Sequence, residues 1–65
     1  MDDRNIRGVM FPDGSTIVAG SEDASEIKYH EPRGEGDRHY IDIYEDELVR
    51  RIFEFKELYW EEEAQ

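Results

Sequence analysis

The stretch EDELVRRIFEFKELYWEEE, residues 45–63, decides the fold, because its apolar residues recur with the period of an amphipathic helix. At about 100° per residue, one line of a helical wheel holds four apolar side chains: Leu48, Ile52, Phe55 and Tyr59. We therefore predict a helix over 46–62, with Asp46 as its N-cap, whose apolar stripe covers the core of the domain.

A second apolar ridge runs beside this stripe and comprises Val49, Phe53 and Trp60. The two lines together span about 160° of the wheel, whereas a helix packed on one sheet needs about 100° or somewhat more. We therefore expect the second ridge to be free for a partner or for a second copy of the chain.

The opposite side of the predicted helix is acidic. Its expected partner-binding carboxylates are Glu47, Glu54, Glu57, Glu61 and Glu62. On a helix, residues three and four apart are separated by about 4.5 and 6 Å along the axis, the same order as the phosphate spacing of a nucleic-acid strand. The cations of this segment are Arg50, Arg51 and Lys56, so the charge compensation of an ordinary solvated face is largely missing. The row predicts mimicry of nucleic acid, with a merely solvated face as the alternative.

Upstream, the sequence predicts a hairpin over 6–19. IRGVMF and STIVA flank PDG, in which Pro12 presets φ and Gly14 can adopt a positive φ. If Val9 lies opposite Ile17, the alternation of side chains along the two strands defines which face of the hairpin is the core side. That side carries Val9, Phe11, Ile17 and Ala19. The other side holds Ile6, Met10 and Val18. Because it is more apolar than a solvated face requires, we expect either a bulge or a covering layer there.

A second hairpin is predicted over 26–45, where EIKYHE and HYIDIYE alternate in hydrophobicity around the loop PRGEGDR. The alignment that gives both faces a consistent character pairs Ile27 with Ile43 and Tyr29 with Ile41 on the core face. A slip by one residue sets Ile27 beside Asp42 and mixes the two faces. The outer face then carries Lys28, His30, Tyr40, Asp42 and Tyr44.

These elements predict an α+β domain of ββββα order, in which two hairpins form a four-stranded antiparallel sheet and the C-terminal helix packs on one face. Residues 1–5 are expected to be flexible, and GSEDAS, residues 20–25, to connect the hairpins. We interpret 1–65 as a single small acidic domain. Two packed hairpins with the helix as a third layer is the alternative arrangement.

Composition limits the classes of partner. Eighteen acidic residues against eight basic ones give a net charge of −10, which opposes direct binding to nucleic acid or to an anionic membrane and favours a basic protein surface. Cysteine is absent, which excludes disulfides and thiolate metal sites. No apolar run has the length of a signal-peptide core or a membrane span, so we expect a soluble, cytoplasmic protein. Excess acid that serves solubility alone is the alternative.

Signatures of catalysis, cofactor binding and metal binding are missing from the sequence. Gly34 and Gly36 lie in an acidic loop that lacks the lysine and the helix start of a phosphate loop. A metal site would need His30, Glu31 and His39 to converge, yet adjacent strand residues such as His30 and Glu31 point to opposite faces. We therefore expect no enzyme activity, no cofactor and no metal, with a small metabolic or metal-binding enzyme subunit as the weakest alternative.

In general composition the chain resembles the small acidic inhibitors that phages and mobile elements make against nucleic-acid-binding host enzymes. The resemblance implies a non-enzymatic protein that occupies the basic nucleic-acid-binding surface of another protein. Under this hypothesis the acidic row supplies the charge, and Trp60 or Tyr44 anchors the partner. Tyr40 and Tyr44 fit an arginine-rich protein surface better than nucleic acid, because acidic residues surround them. The alternative is a small homodimeric interaction module whose acidity serves solubility only. It would pair through Val49, Phe53 and Trp60, or through the face that carries Ile6, Met10 and Val18.

Overall fold

Within residues 3–61, which a computed structural model describes, the chain forms six antiparallel strands and no helix. The strands are β1 (Asp3–Met10), β2 (Thr16–Val18), β3 (Glu26–His30), β4 (Tyr40–Glu45), β5 (Leu48–Ile52) and β6 (Glu57–Trp60). Hydrogen bonding orders them β2-β1-β3-β4-β5, and β6 pairs with β1 as well. The sheet curls around β1, whose residues 3–5, expected to be flexible, pair with β3, whereas its second half pairs with β2 and β6. Residues 1 and 2 lie outside the described range.

The predicted α+β fold with a helix over 46–62 is wrong, because the described part of this segment forms β5 and β6 of an all-strand domain. Its apolar residues fit the helical period, but most of them are β-branched or aromatic, the types that favour a pleated, half-buried surface. Only Asp46 and Glu47 separate β5 from β4, and closing so short a loop costs little chain entropy. Local strand pairing therefore prevails over the helical pattern.

Asp46, which we expected to cap the helix, instead makes the turn between β4 and β5. Its φ of 48° lies in the left-handed region, which aspartate tolerates better than most residues. Glu45 pairs with Leu48, so the loop has the two-residue length at which turns with positive φ match the twist of the strands. The residue that was interpreted as a helix signal is a hairpin signal.

The predicted registers of the first two strand pairs are confirmed. β1 and β2 pair Val9 with Ile17, and β3 and β4 pair Ile27 with Ile43 and Tyr29 with Ile41. Because side chains alternate between the faces of a strand, this register turns Ile27, Ile41 and Ile43 inward together, and all three are fully buried. The same alternation turns His30 and Tyr40 to the outer face.

β1 contains an irregularity between Ile6 and Gly8, where its pairing with β6 shifts. Such a bulge was one of the two expectations for this apolar strand, and it turns Ile6 and Val9, three residues apart, toward the same interior. At Gly8 the strands approach closely, since a Cβ atom there would lie 3.0 Å from the carbonyl oxygen of Ile17. A side chain at this position would require the backbone of β2 to shift by a few tenths of an ångström.

The curled sheet covers its own interior. The core consists of Ile6, Val9, Ala24, Ile27, Ile41 and Ile43. From 46–61, Ile52, Phe55 and Leu58 pack against this core and are half-buried. Leu48 and Tyr59, the two ends of the expected buried stripe, are exposed, Leu48 to 66%. The stripe is therefore split, and its outer members are left on the surface.

Candidate binding cleft between two sheet edges

The carboxylates predicted to form one acidic row lie on separate elements. Glu47 is in the β4–β5 turn, Glu54 is in the connection from β5 to β6, Glu57 begins β6, and Glu61 follows it. All four are exposed, while Glu62 lies outside the described residues. Without a helix, the regular spacing that suggested a phosphate-like row does not exist.

The predicted apolar ridge is also divided. Val49 lies on β5 and pairs with Tyr44, whereas Phe53 follows β5 and lies with its ring centroid 5.5 Å from that of Tyr40. Trp60 is on β6, where Arg4 lies over its ring at 4.5 Å. Each of the three is exposed, but they form separate contacts and not one surface.

Three aromatic rings cross the outer face of the sheet from β3 to the end of β5. His30 stacks on Tyr40 with centroids 4.6 Å apart and planes 21° apart, and Tyr40 contacts Phe53. Arg38 lies 5.0 Å over the Phe53 ring. Together with the β3–β4 loop, these residues line a shallow cleft of about 470 Å³.

The charges beneath this aromatic row compensate each other. Asp42 is 3% exposed and accepts two hydrogen bonds from the Arg51 guanidinium, at 2.9 and 3.0 Å. Those hydrogen bonds raise the pKa of Arg51, and its guanidinium also lies 4.2 Å over the ring of Tyr40. His30 Nε2 is 3.4 Å from the Asp42 carboxylate. This cluster fastens β3, β4 and β5 to one another.

A second cleft separates the two ends of the curled sheet. β2 and β5 end the strand order, and within 3–61 each pairs on one side only. They face each other across an open cleft of about 750 Å³, and no Cα atom of β2 lies within 8 Å of one in β5. The lining residues are Phe11, Asp13, Ser15, Thr16, Ile17, Asp23, Glu45, Arg50 and Ile52.

The polar lining of this edge cleft is acidic. Asp13 Oδ1 accepts hydrogen bonds from the Ser15 backbone N–H at 2.9 Å and from the Ser15 hydroxyl at 2.7 Å. These bonds, the backbone one foremost, lower the pKa of Asp13 from its ordinary value of 3.8 and keep the carboxylate charged. Glu45 pairs with Arg50 at 2.8 Å. With Asp23, three carboxylates meet one guanidinium, so the lining has a formal charge of −2.

The connection from β2 to β3 holds Asp23 at the cleft. Ala24 is buried in the core beside it. Ser25 donates from its backbone N–H to the carbonyl oxygen of Tyr44 at 2.8 Å and from its hydroxyl to the same oxygen at 3.1 Å. These contacts fasten the connection to the end of β4, where Glu45 lies. Asp23 and Glu45 therefore reach the same cleft from distant parts of the chain.

Sequence reasoning assigned Asp13 to a turn, Asp23 to a connector and Glu45 to the end of the second hairpin, and missed them as a set. A partial signal was present, because PDG, GSEDAS and EDE each place acid where a strand ends. Which strand ends meet depends on the pairing of β5 and on the curl of the sheet. Neither could be obtained once the segment was interpreted as a helix.

Comparison with family models, with curated proteins and with solved structures finds no match for this chain. In the part of the chain that the structure describes, no group of three or more His, Asp or Glu side chains is placed to hold a metal ion. The same residues contain no helix with the length and apolar character needed to cross a membrane. The edge cleft is thus judged on its own geometry and charge.

Proposed function

We propose that this protein is a non-enzymatic acidic binding protein that takes a basic segment of another protein into the edge cleft. The observation that supports this most is the convergence of Asp13, Asp23 and Glu45 on one open cleft. Among the described lining residues the cation is Arg50, which is already paired with Glu45. Ile17 and Ile52 line the same cleft and give a partner side chain an apolar surface to pack against.

The partner class that fits is a cytoplasmic protein with a nucleic-acid-binding surface. Such surfaces concentrate arginine and lysine to neutralise phosphates, and a chain of net charge −10 is attracted to them and repelled by nucleic acid itself. Binding there blocks the partner's access to DNA or RNA. The protein therefore acts as an inhibitor that competes with nucleic acid for one basic surface.

Two charge variants test both the function and its location. The cleft variant is Asp13→Asn, Asp23→Asn and Glu45→Gln, and the comparison variant is Glu54→Gln, Glu57→Gln and Glu61→Gln. Each removes three negative charges from exposed or half-exposed positions, so their net charges are equal. Circular dichroism checks that both remain folded.

Affinity capture from a nuclease-treated cell extract, at low and at high salt, identifies the partner by mass spectrometry. We expect a basic protein that is retained by the wild type and by the comparison variant, lost with the cleft variant, and displaced by added DNA or RNA. Purified, it should lose nucleic-acid binding when this protein is added. Retention by the cleft variant together with loss by the comparison variant would place the site elsewhere, and binding that salt and nucleic acid leave unchanged would overturn the function.

A homodimeric interaction module is a second candidate, favoured by the apolar exposure of β5. Leu48 and Val49 are consecutive residues of this terminal strand, one on each face, and Val49 is 53% exposed. Sedimentation of the purified protein over micromolar concentrations measures this directly. A monomer throughout that range excludes the dimer as the functional form.

A further inference from the structure

The first step concerns the backbone of β2. Phe11 N–H donates to Ser15 C=O at 2.8 Å, and Ala19 N–H donates to Arg7 C=O at 2.7 Å. Because residues of an antiparallel strand direct their backbone groups alternately to the two sides, Thr16 lies between these bonds with its N–H and C=O directed toward the edge cleft. β2 therefore presents the N–H and C=O of Thr16, which its pairing with β1 does not use, while the Val18 C=O already accepts from the Ser21 hydroxyl.

The second step concerns β5, on the other side of the cleft. Its first residue, Leu48, closes the two-residue hairpin with Glu45, and such closing pairs exchange hydrogen bonds. By alternation, Val49 and Arg51 direct their N–H and C=O groups away from β4. Within the described residues β5 has no strand on that side. These backbone groups of β5 therefore lie along its open edge, next to Arg50 and Ile52, which line the cleft.

The third step is the width of the gap. Neighbouring strands lie about 4.8 Å apart, so one additional strand needs about 10 Å between the strands on either side of it. The Cα atoms of β2 and β5 are more than 8 Å apart throughout, which is too far for direct pairing. An extended chain has free backbone groups with which to pair with such an edge, whereas a helix, whose backbone groups are already paired, could use neither edge.

The fourth step is the chemistry of the lining. Ile17 and Ile52 offer apolar surface from the two edges, and Asp13 and Asp23 are exposed at the rim. Side chains of an extended segment alternate between two faces, so apolar residues can contact the isoleucines while basic residues reach the rim. The complementary sequence is one in which β-branched and basic residues alternate.

We infer that the partner's basic segment binds as an extended strand inserted between β2 and β5, hydrogen-bonding to both edges and closing the curled sheet. This inference rests on the proposed function, because it specifies the form in which the basic partner enters the acidic cleft. Strand addition of this kind draws affinity from the main chain and specificity from alternate side chains.

The test uses a fluorescent eight-residue peptide in which arginine and valine alternate, together with the same peptide N-methylated at every second amide. Methylation keeps the charge and the side chains but removes the N–H groups directed to one edge. Fluorescence anisotropy at low salt should show binding of the first peptide to the wild-type protein, and at least about tenfold weaker binding of the methylated one. The Asp13→Asn, Asp23→Asn, Glu45→Gln variant should weaken both.

The outcomes separate this inference from the proposed function. If both peptides bind equally and the cleft variant weakens both, the acidic site stands and strand insertion is wrong. If neither peptide responds to the cleft variant, the proposed function fails as well. A wild-type protein that sediments as a dimer and excludes the peptide assigns the free edges to a second copy, which also overturns the inference.

A variant of the protein provides an independent measurement. Val49→Pro removes an N–H that β5 directs away from β4 at its open edge, and proline is tolerated on edge strands where no ladder bond is lost. Val49→Ala is the matched control, because it removes the side chain and keeps the N–H. We expect peptide affinity to fall for the proline variant only. A measurement on the wild type does not depend on whether the proline variant folds. Hydrogen exchange of the Val49 amide should slow when the unmethylated peptide is bound, and unchanged exchange would contradict the inference.

Discussion

The segment 26–45 has six apolar residues in twenty and the segment 46–61 has eight in sixteen. The first was predicted down to its residue pairs, whereas the second, which is the more apolar, was assigned the wrong secondary structure. In 26–45 two stretches of alternating hydrophobicity lie on either side of a polar loop. Each possible alignment of the two strands can be tested by whether it leaves one face apolar and the other polar. The segment 46–61 offers no second stretch against which to test it. Half of its sixteen residues are apolar, and their positions fit one helix as well as two strands. Hydrophobic periodicity alone therefore does not distinguish a helix from strands in this segment.

The two segments also contribute differently to the core. Ile27, Ile41 and Ile43 from the first are fully buried. The second contributes half-buried side chains and leaves Leu48 on the surface. Stability should therefore depend far more on the first segment, and paired substitutions can measure the difference.

The largest expected effect comes from Ile43→Ala, set against Leu48→Ala. Removing most of a fully buried isoleucine costs about 2–5 kcal/mol, whereas truncating an exposed residue usually changes the free energy of unfolding by no more than about 0.5 kcal/mol. A domain of 65 residues has a total stability of about 3–10 kcal/mol, so Ile43→Ala removes much of it. Urea unfolding of both variants gives the comparison. Equal losses would mean that Leu48 is buried, as the helical interpretation required.

Much of the sheet could be predicted because its turns and strand pairs are specified by residues that are close together in the sequence. Pro12 and Gly14 define the first turn, and the alternation around 32–38 defines the second pair. The bulge in β1 was recognisable from the apolar surplus at Ile6. What could not be predicted is the long-range pairing of β6 with β1, since no residue of either strand specifies the other until the sheet curls.

A smaller effect tests the turn that redirects the second segment. At a φ of 48°, Asp46 is strained relative to glycine, so Asp46→Gly should raise the free energy of unfolding by about 0.5 kcal/mol. Glu47→Gly is the control, because Glu47 has no positive φ and the substitution should cost about 0.5–1 kcal/mol. Thermal unfolding of both variants shows whether each substitution raises or lowers the free energy of unfolding. Destabilisation by both glycines would indicate the helix start that the sequence first suggested.

The candidate site follows from the same contrast. The predicted row of Glu54, Glu57 and Glu61 depended on helical spacing, and the strands separate its members. Asp13, Asp23 and Glu45 are brought together by a turn, a connection and a strand end, which only the complete topology places side by side. The class of partner could be predicted from the net charge, which is counted from the sequence alone. The position of the charged side chains could not, because it depends on the complete fold.

The smallest effect concerns Asp13, where local sequence alone sets the chemistry. Its folded pKa is lowered by the Ser15 N–H, so its contribution to stability is present above its ordinary pKa of 3.8 and is lost as the pH falls through the lower, folded value. In an NMR titration the Asp13 carboxyl should have a midpoint below 3.8. In Ser15→Ala the midpoint should move only part of the way back, because the backbone bond remains when the hydroxyl is removed. An unchanged midpoint would show that the hydroxyl contributes nothing, and a full return would show that it contributes everything. The intermediate result would mean that the N–H and the hydroxyl of Ser15 both lower the pKa of this carboxylate, so that two hydrogen bonds within PDGS favour the charged form that a basic partner needs.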